Sequence, residues 1–79
     1  MERYRRLKVL GGKRIDLLRI IEKNPGIKRY DILKVSGFKP STADYNLGVL
    51  IKNKLIDADA DGKHVWYFPH IENDNKNNS

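Results

Sequence analysis

Four residues, Gly37-Phe38-Lys39-Pro40, separate two stretches of helical periodicity. A connection that short makes the two helices neighbours joined by a tight turn. The first stretch, 28–36, offers Tyr30, Ile32, Leu33 and Val35 as core contacts, although its start lacks a good N-cap. Gly37 is predicted to end it in the left-handed region. The second stretch, 39–56, is predicted to become helical at Ser41, with Ser41 as N-cap and Asp44 closing a capping box. Pro40, just before that cap, is expected to block any earlier start. Ala43, Leu47, Leu50 and Ile51 then share one face at helical spacing. Phe38 is expected to plug the turn into the core.

The opposite face of that second helix holds Ser41, Tyr45, Gly48, Val49 and Lys52. Surface helices normally carry charge there. A hydroxyl, a phenol, a glycine, a small apolar group and one lysine suit the floor of a DNA major groove, where donors, acceptors and thymine methyls are read. They equally suit an ordinary amphipathic helix with a mild outer face. Gly48 costs such a helix about 1 kcal/mol against alanine. Close approach to a DNA backbone or a partner would explain that cost, and so would chance.

Two further signals complete the chain. Residues 13–23 are predicted as the first helix, with Leu17, Leu18, Ile20 and Ile21 gathered on one side. Gly11-Gly12 are expected to break the pattern before it, and Asn24-Pro25-Gly26 to stop it. Beyond Lys54 the pattern becomes strand-like. Leu55-Ile56-Asp57-Ala58 and His64-Val65-Trp66-Tyr67-Phe68 flank Asp61-Gly62, a strong hairpin signal. Pro69 is expected to end the second strand.

Residues 1–12 form an N-terminal basic segment. Within it Tyr4, Leu7 and Leu10 recur at i, i+3 and i+6 among four cations. They read either as a short helix docking on the domain or a second subunit, or as a flexible basic arm. As a dimerisation element, these three would cover an otherwise exposed apolar stripe. The expected domain occupies 13–70, and 71–79 is too polar to pack and is expected to be a disordered tail.

The 79 residues suffice for one small domain. There are no cysteines, hence neither disulfides nor a thiolate metal site. No apolar run or signal pattern points to a membrane or to export, so a cytoplasmic, intracellular setting is expected. Charge is lopsided. Residues 1–40 carry 12 Lys+Arg against 4 Asp+Glu, while 41–79 carry 4 against 6. A basic half on a small domain fits a polyanion, nucleic acid before membrane.

No catalytic residues are indicated. His64 and His70 lack a paired nucleophile or acid, so the chain reads as no enzyme. Asp57-x-Asp59-x-Asp61-Gly62 imitates the start of a calcium loop, but the bidentate Glu such a loop requires is replaced by Phe68. It reads as an acidic hairpin tip, and neither metal nor cofactor is expected. Trp66, Tyr67 and Phe68 read as core and interface residues.

Three helices and a C-terminal hairpin amount to a winged helix-turn-helix, an α+β fold that is mainly α. The sequence resembles the arsenic-repressor-like and related small winged-helix regulators of archaea, their viruses and bacteria. The resemblance covers about residues 7–68. It rests on Leu7-Lys8-Val9-Leu10-Gly11 leading into Arg14-Ile15-Asp16-Leu17-Leu18, and on Ser41-Thr42-Ala43 with Leu47, Leu50 and Leu55-Ile56. The family's recognition helix commonly runs Ser-Thr-Val-Ser-x-x-Leu-x-x-Leu and ends in Gly-Leu-Val or Gly-Leu-Ile. Here Asp44 replaces the second Ser and Lys54 the last Gly.

The resemblance implies a sequence-specific double-stranded DNA-binding transcriptional regulator, acting as a homodimer. The helix at about 41–54 would enter the major groove. Ser41, Thr42, Tyr45 and Val49 would contact bases, and Arg14, Lys28, Arg29, Lys39, Lys52 and Lys63 would contact phosphates. Asp44 would either belong to the capping box or accept from cytosine N4. Metal sensing is not implied, because that branch of the family uses cysteines. Two other expectations stay open: a protein-interaction subunit of a transcription or replication assembly, which the acidic wing favours and the basic N-terminal half opposes, and a sequence-neutral architectural DNA-binding protein.

Overall fold

A computed structural model describes residues 11–71. The expected dimerisation residues Tyr4, Leu7 and Leu10, and residues 72–79 of the polar tail, lie outside the described residues. The described part is a small α+β unit, mainly helical. Its elements run α1 (Gly11–Lys23), β1 (Ile27–Lys28), α2 (Arg29–Ser36), α3 (Pro40–Lys52), β2 (Ile56–Ala60) and β3 (Val65–Pro69). The three strands form one antiparallel sheet in the order β1-β3-β2.

Each helix lends a narrow apolar line to one core. Leu17, Leu18 and Ile21 of α1 meet Ile32 of α2 and Ala43, Leu47 and Leu50 of α3. Leu55, Ile56 and Tyr67 close it from the sheet side, with Phe38 packed against it from the α2–α3 turn. The helix α1 is described from Gly11, two residues before the expected start at Lys13, and Gly11 itself stands at φ 60° in the left-handed region, where the break expected at Gly11-Gly12 falls.

Pro25-Gly26 ends α1 as expected and opens a strand that was not. Gly26, at φ 87°, donates its N–H to the Tyr67 carbonyl at 2.7 Å. Ile27 and Lys28 then pair with Tyr67 and Trp66. Lys28 is therefore the last residue of β1, not the first of α2. Gly37 ends α2 at φ 73°, its N–H bonded to the Leu33 carbonyl.

On α2 only Ile32 is fully buried. Tyr30 is 67% exposed and Val35 64%, against the expectation of core contacts. Tyr30 stands two residues, about 200° of helix rotation, from Ile32. Val35 borders an open recess shared with Ile20 and Phe38 instead of the core.

The helix α3 starts one residue earlier than expected. Pro40 occupies its first turn and extended Lys39 is the cap, without a side-chain cap bond. Proline's fixed φ suits the first helical position, and the residue before it favours the extended region. Ser41 is thus inside the helix, and Asp44 lies too far along to close a capping box. Ile51, expected in the core, is 40% exposed, while Asn46 is buried.

The helix α3 ends on a non-glycine residue in the left-handed region. Lys54 stands at φ 59° in the left-handed region. Its N–H bonds the Ile51 carbonyl, and the Leu55 N–H bonds the Leu50 carbonyl. This is a Schellman ending, whose left-handed residue is usually glycine. The hairpin closes through Asp61, whose Oδ1 accepts the N–H groups of Lys63 at 3.0 Å and His64 at 2.9 Å. Those bonds hold the Asp61 carboxyl below its ordinary range.

Candidate nucleic-acid interface

One stripe of α3 points outward: Ser41, Asp44, Tyr45, Gly48, Ile51 and Lys52 are exposed. Thr42 and Val49 are half-buried on its flanks. The stripe follows from the core line Ala43, Leu47 and Leu50, which turns the other side of the helix to solvent. Tyr45 is 65% exposed and extends from the middle of the stripe.

Tyr45 has a cation beside it. The Arg14 guanidinium of α1 sits 5.7 Å from the Tyr45 ring centre. Arg14 Nε donates to Asn46 Oδ1 at 2.7 Å, and Asn46 Nδ2 donates to the Thr42 carbonyl at 2.8 Å. Asn46 is the buried polar side chain that ties α1 to α3. Its position three residues after Ala43 and one before Leu47 marks it in the sequence as part of the buried line.

Asp44, on the same stripe, is gripped by α2. Arg29 Nε donates to its Oδ1 and Nη2 to its Oδ2, both at 2.9 Å. The Arg29 hydrogen bond holds the Asp44 carboxyl below its ordinary range, and the Asp44 bond raises the Arg29 guanidinium. The buried Tyr67 phenol is pushed up by desolvation, then by Asp44.

The short strand β1 gathers the phosphate candidates. Lys28, Arg29 and Tyr30 meet Lys63, His64 and Val65 around a recess of about 190 Å³. Residues 35 positions apart in the chain thus face one space, because β1 pairs with β3. His64 also lies 5.8 Å from the Trp66 ring. Tyr30 was expected in the core instead, and a two-residue strand leaves no periodic signal from which to place it here. Lys39 caps α3 and Lys52 lies in its last turn, so both flank the stripe outside this recess.

The aspartates of the hairpin do not converge. Asp57 Oδ1 accepts from His70 Nδ1 at 3.0 Å, Asp59 stands on β2 opposite Trp66, and Asp61 holds the turn. No helix among the described residues is long and apolar enough to cross a membrane. Comparison with protein-family models, with curated proteins and with solved structures finds no match.

Proposed function

We propose that the chain is a winged helix-turn-helix protein that binds double-stranded DNA sequence-specifically as a transcriptional regulator inside the cell. In this reading α2 and α3 are the helix-turn-helix, α3 is the recognition helix and the β2–β3 hairpin is the wing. The observation that carries it is the exposed stripe of α3, with short or uncharged Ser41, Tyr45 and Gly48 at its centre. Lys39, Lys52 and the cationic recess of Lys28, Arg29 and Lys63 border it.

The mechanism divides by contact type. Lys28, Lys39, Lys52 and Lys63 hold phosphates, supply sequence-independent affinity and make it salt-dependent, while Arg29 is engaged by Asp44. Ser41 and Tyr45 reach base edges, with Thr42 and Val49 beside them. Arg14 contributes charge next to Tyr45. One domain of this size spans only a few base pairs, so a homodimer reading two half-sites follows, paired through residues 1–12. Sedimentation of the full chain and of a variant lacking residues 1–10 tests that pairing: dimer for the first and monomer for the second.

A second reading has its own observation. Asp57, Asp59 and Asp61 are all exposed, giving the hairpin an acidic surface unlike a phosphate-gripping wing. That favours a protein-interaction subunit. Selection of bound duplexes from a random pool separates the two. The regulator enriches a sequence, an architectural protein retains duplex without enriching one, and an interaction subunit retains none.

A further inference from the structure

We infer that Asp44 reads a base-edge amino group, the N4 of a cytosine, from the exposed stripe of α3. This rests on the DNA-binding reading above. Ser41 lies three residues before Asp44 on the stripe and Gly48 four residues after, each about one helical turn away. Both are short, and nothing lies within 4 Å of a Cβ placed at Gly48. The helix surface one turn to either side of Asp44 is therefore low.

The carboxylate is also held in one orientation. Arg29 donates one hydrogen bond to each oxygen, both at 2.9 Å. A carboxylate oxygen has two lone pairs, so each keeps one acceptor position, and Asp44 remains 48% exposed. The group offers acceptors and no donor. In the major groove guanine offers only acceptors at N7 and O6, which such a group repels. Adenine pairs its N6 donor with the N7 acceptor beside it, which a carboxylate opposes. Cytosine offers N4 as a donor alone, and is the match.

Arg29 removes the main objection to an anion on this surface. A bare aspartate would repel the phosphates of every sequence, whereas the Arg29–Asp44 pair carries no net charge. The same hydrogen bond keeps Asp44 ionised, hence acceptor-only, at neutral pH.

Selection from a random duplex pool with wild type, Asp44→Ala and Asp44→Asn tests this, with thermal melting of each protein alongside. The wild type is expected to fix a cytosine at one position. Asp44→Ala should lose that preference, with affinity for the cytosine site falling about 5- to 150-fold. Asp44→Asn, carrying both donor and acceptor, should move the preference at that position to adenine. If all three proteins enrich the same sequence, Asp44 only braces Arg29 and the inference fails. It fails also if both variants bind every duplex more tightly by one factor, since Asp44 then only repels. A wild type that enriches no sequence removes the DNA-reading function itself, and this inference with it.

Discussion

Arg14 of α1 donates its Nε to the buried Oδ1 of Asn46 on α3 at 2.7 Å, so a polar bond crosses the seam between these two helices. Truncating Asn46 removes the acceptor of that part-buried N–H and the Asn46 Nδ2 bond to the Thr42 carbonyl. Asn46→Ala should therefore cost about 1–3 kcal/mol, more than a typical surface change. Urea denaturation measures it. A loss below about 0.5 kcal/mol would mean that the bond contributes nothing beyond what solvent supplies.

Lys54 points the other way, to a substitution that stabilises. Its φ of 59° puts a side chain where glycine is at ease. Lys54→Gly should raise stability by about 0.5–1 kcal/mol, the relief of the left-handed backbone less the added freedom of the unfolded chain. An unchanged or lower melting temperature would show that the Lys54 side chain gives something back.

The two sides of α3 separate folding from binding. Leu47 is 2% exposed, and Leu47→Ala should destabilise by about 2–5 kcal/mol through a core cavity. Tyr45→Ala removes a side chain that is 65% exposed, together with its Arg14 contact, and should cost no more than about 1 kcal/mol of stability. On DNA it should cost about 1–3 kcal/mol at the preferred site and much less on random duplex. Thermal melting beside competitive binding decides. Tyr45→Ala melting like Leu47→Ala would put the wrong face of α3 outward.

Acid should weaken the fold through Asp44. Its folded carboxyl is held below the ordinary range by Arg29, so at moderately low pH the unfolded chain takes a proton the folded one refuses. The pair's contribution is complete above about pH 5 and is lost as pH falls through the lowered folded value, below about pH 4. Both side chains are more than a third in water, which limits the effect to about 0–1 kcal/mol. Asp44→Asn should thus be less stable than wild type at pH 7, with the gap closing in acid, below the ordinary carboxylate range. An equal gap under both conditions would assign the loss to packing.

The sequence carried most of the fold and less of the surface. Leu17, Leu18, Ile21, Ala43, Leu47 and Leu50 repeat at helical spacing, and that period is what a core leaves in a chain. Gly37 and Asp61-Gly62 mark turns because few residues tolerate those backbones. Strand β1 was illegible, since two residues cannot show alternation and its partner lies some 40 positions away. The recess that β1 assembles was illegible for the same reason. Tyr30 and Val35 misled because hydrophobicity was read as burial on a helix of two turns, too short for its period to be firm. The start of α3 was off by one because Pro40 serves as well inside the first turn as before it. Asp44 went to Arg29, a long-range ion pair that no local spacing announces.

The central claim is that the recess and the outer stripe of α3 form one DNA-binding surface. Fluorescence anisotropy on a random duplex and on a selected one, across a series of salt concentrations, tests it most directly. Wild type and the double variant Lys28→Ala, Lys63→Ala are compared. The logarithm of affinity should fall linearly with the logarithm of salt for wild type, and the double variant's slope should be smaller by about 2 on both duplexes. No binding at low salt, or a slope the double variant leaves unchanged, would contradict the account.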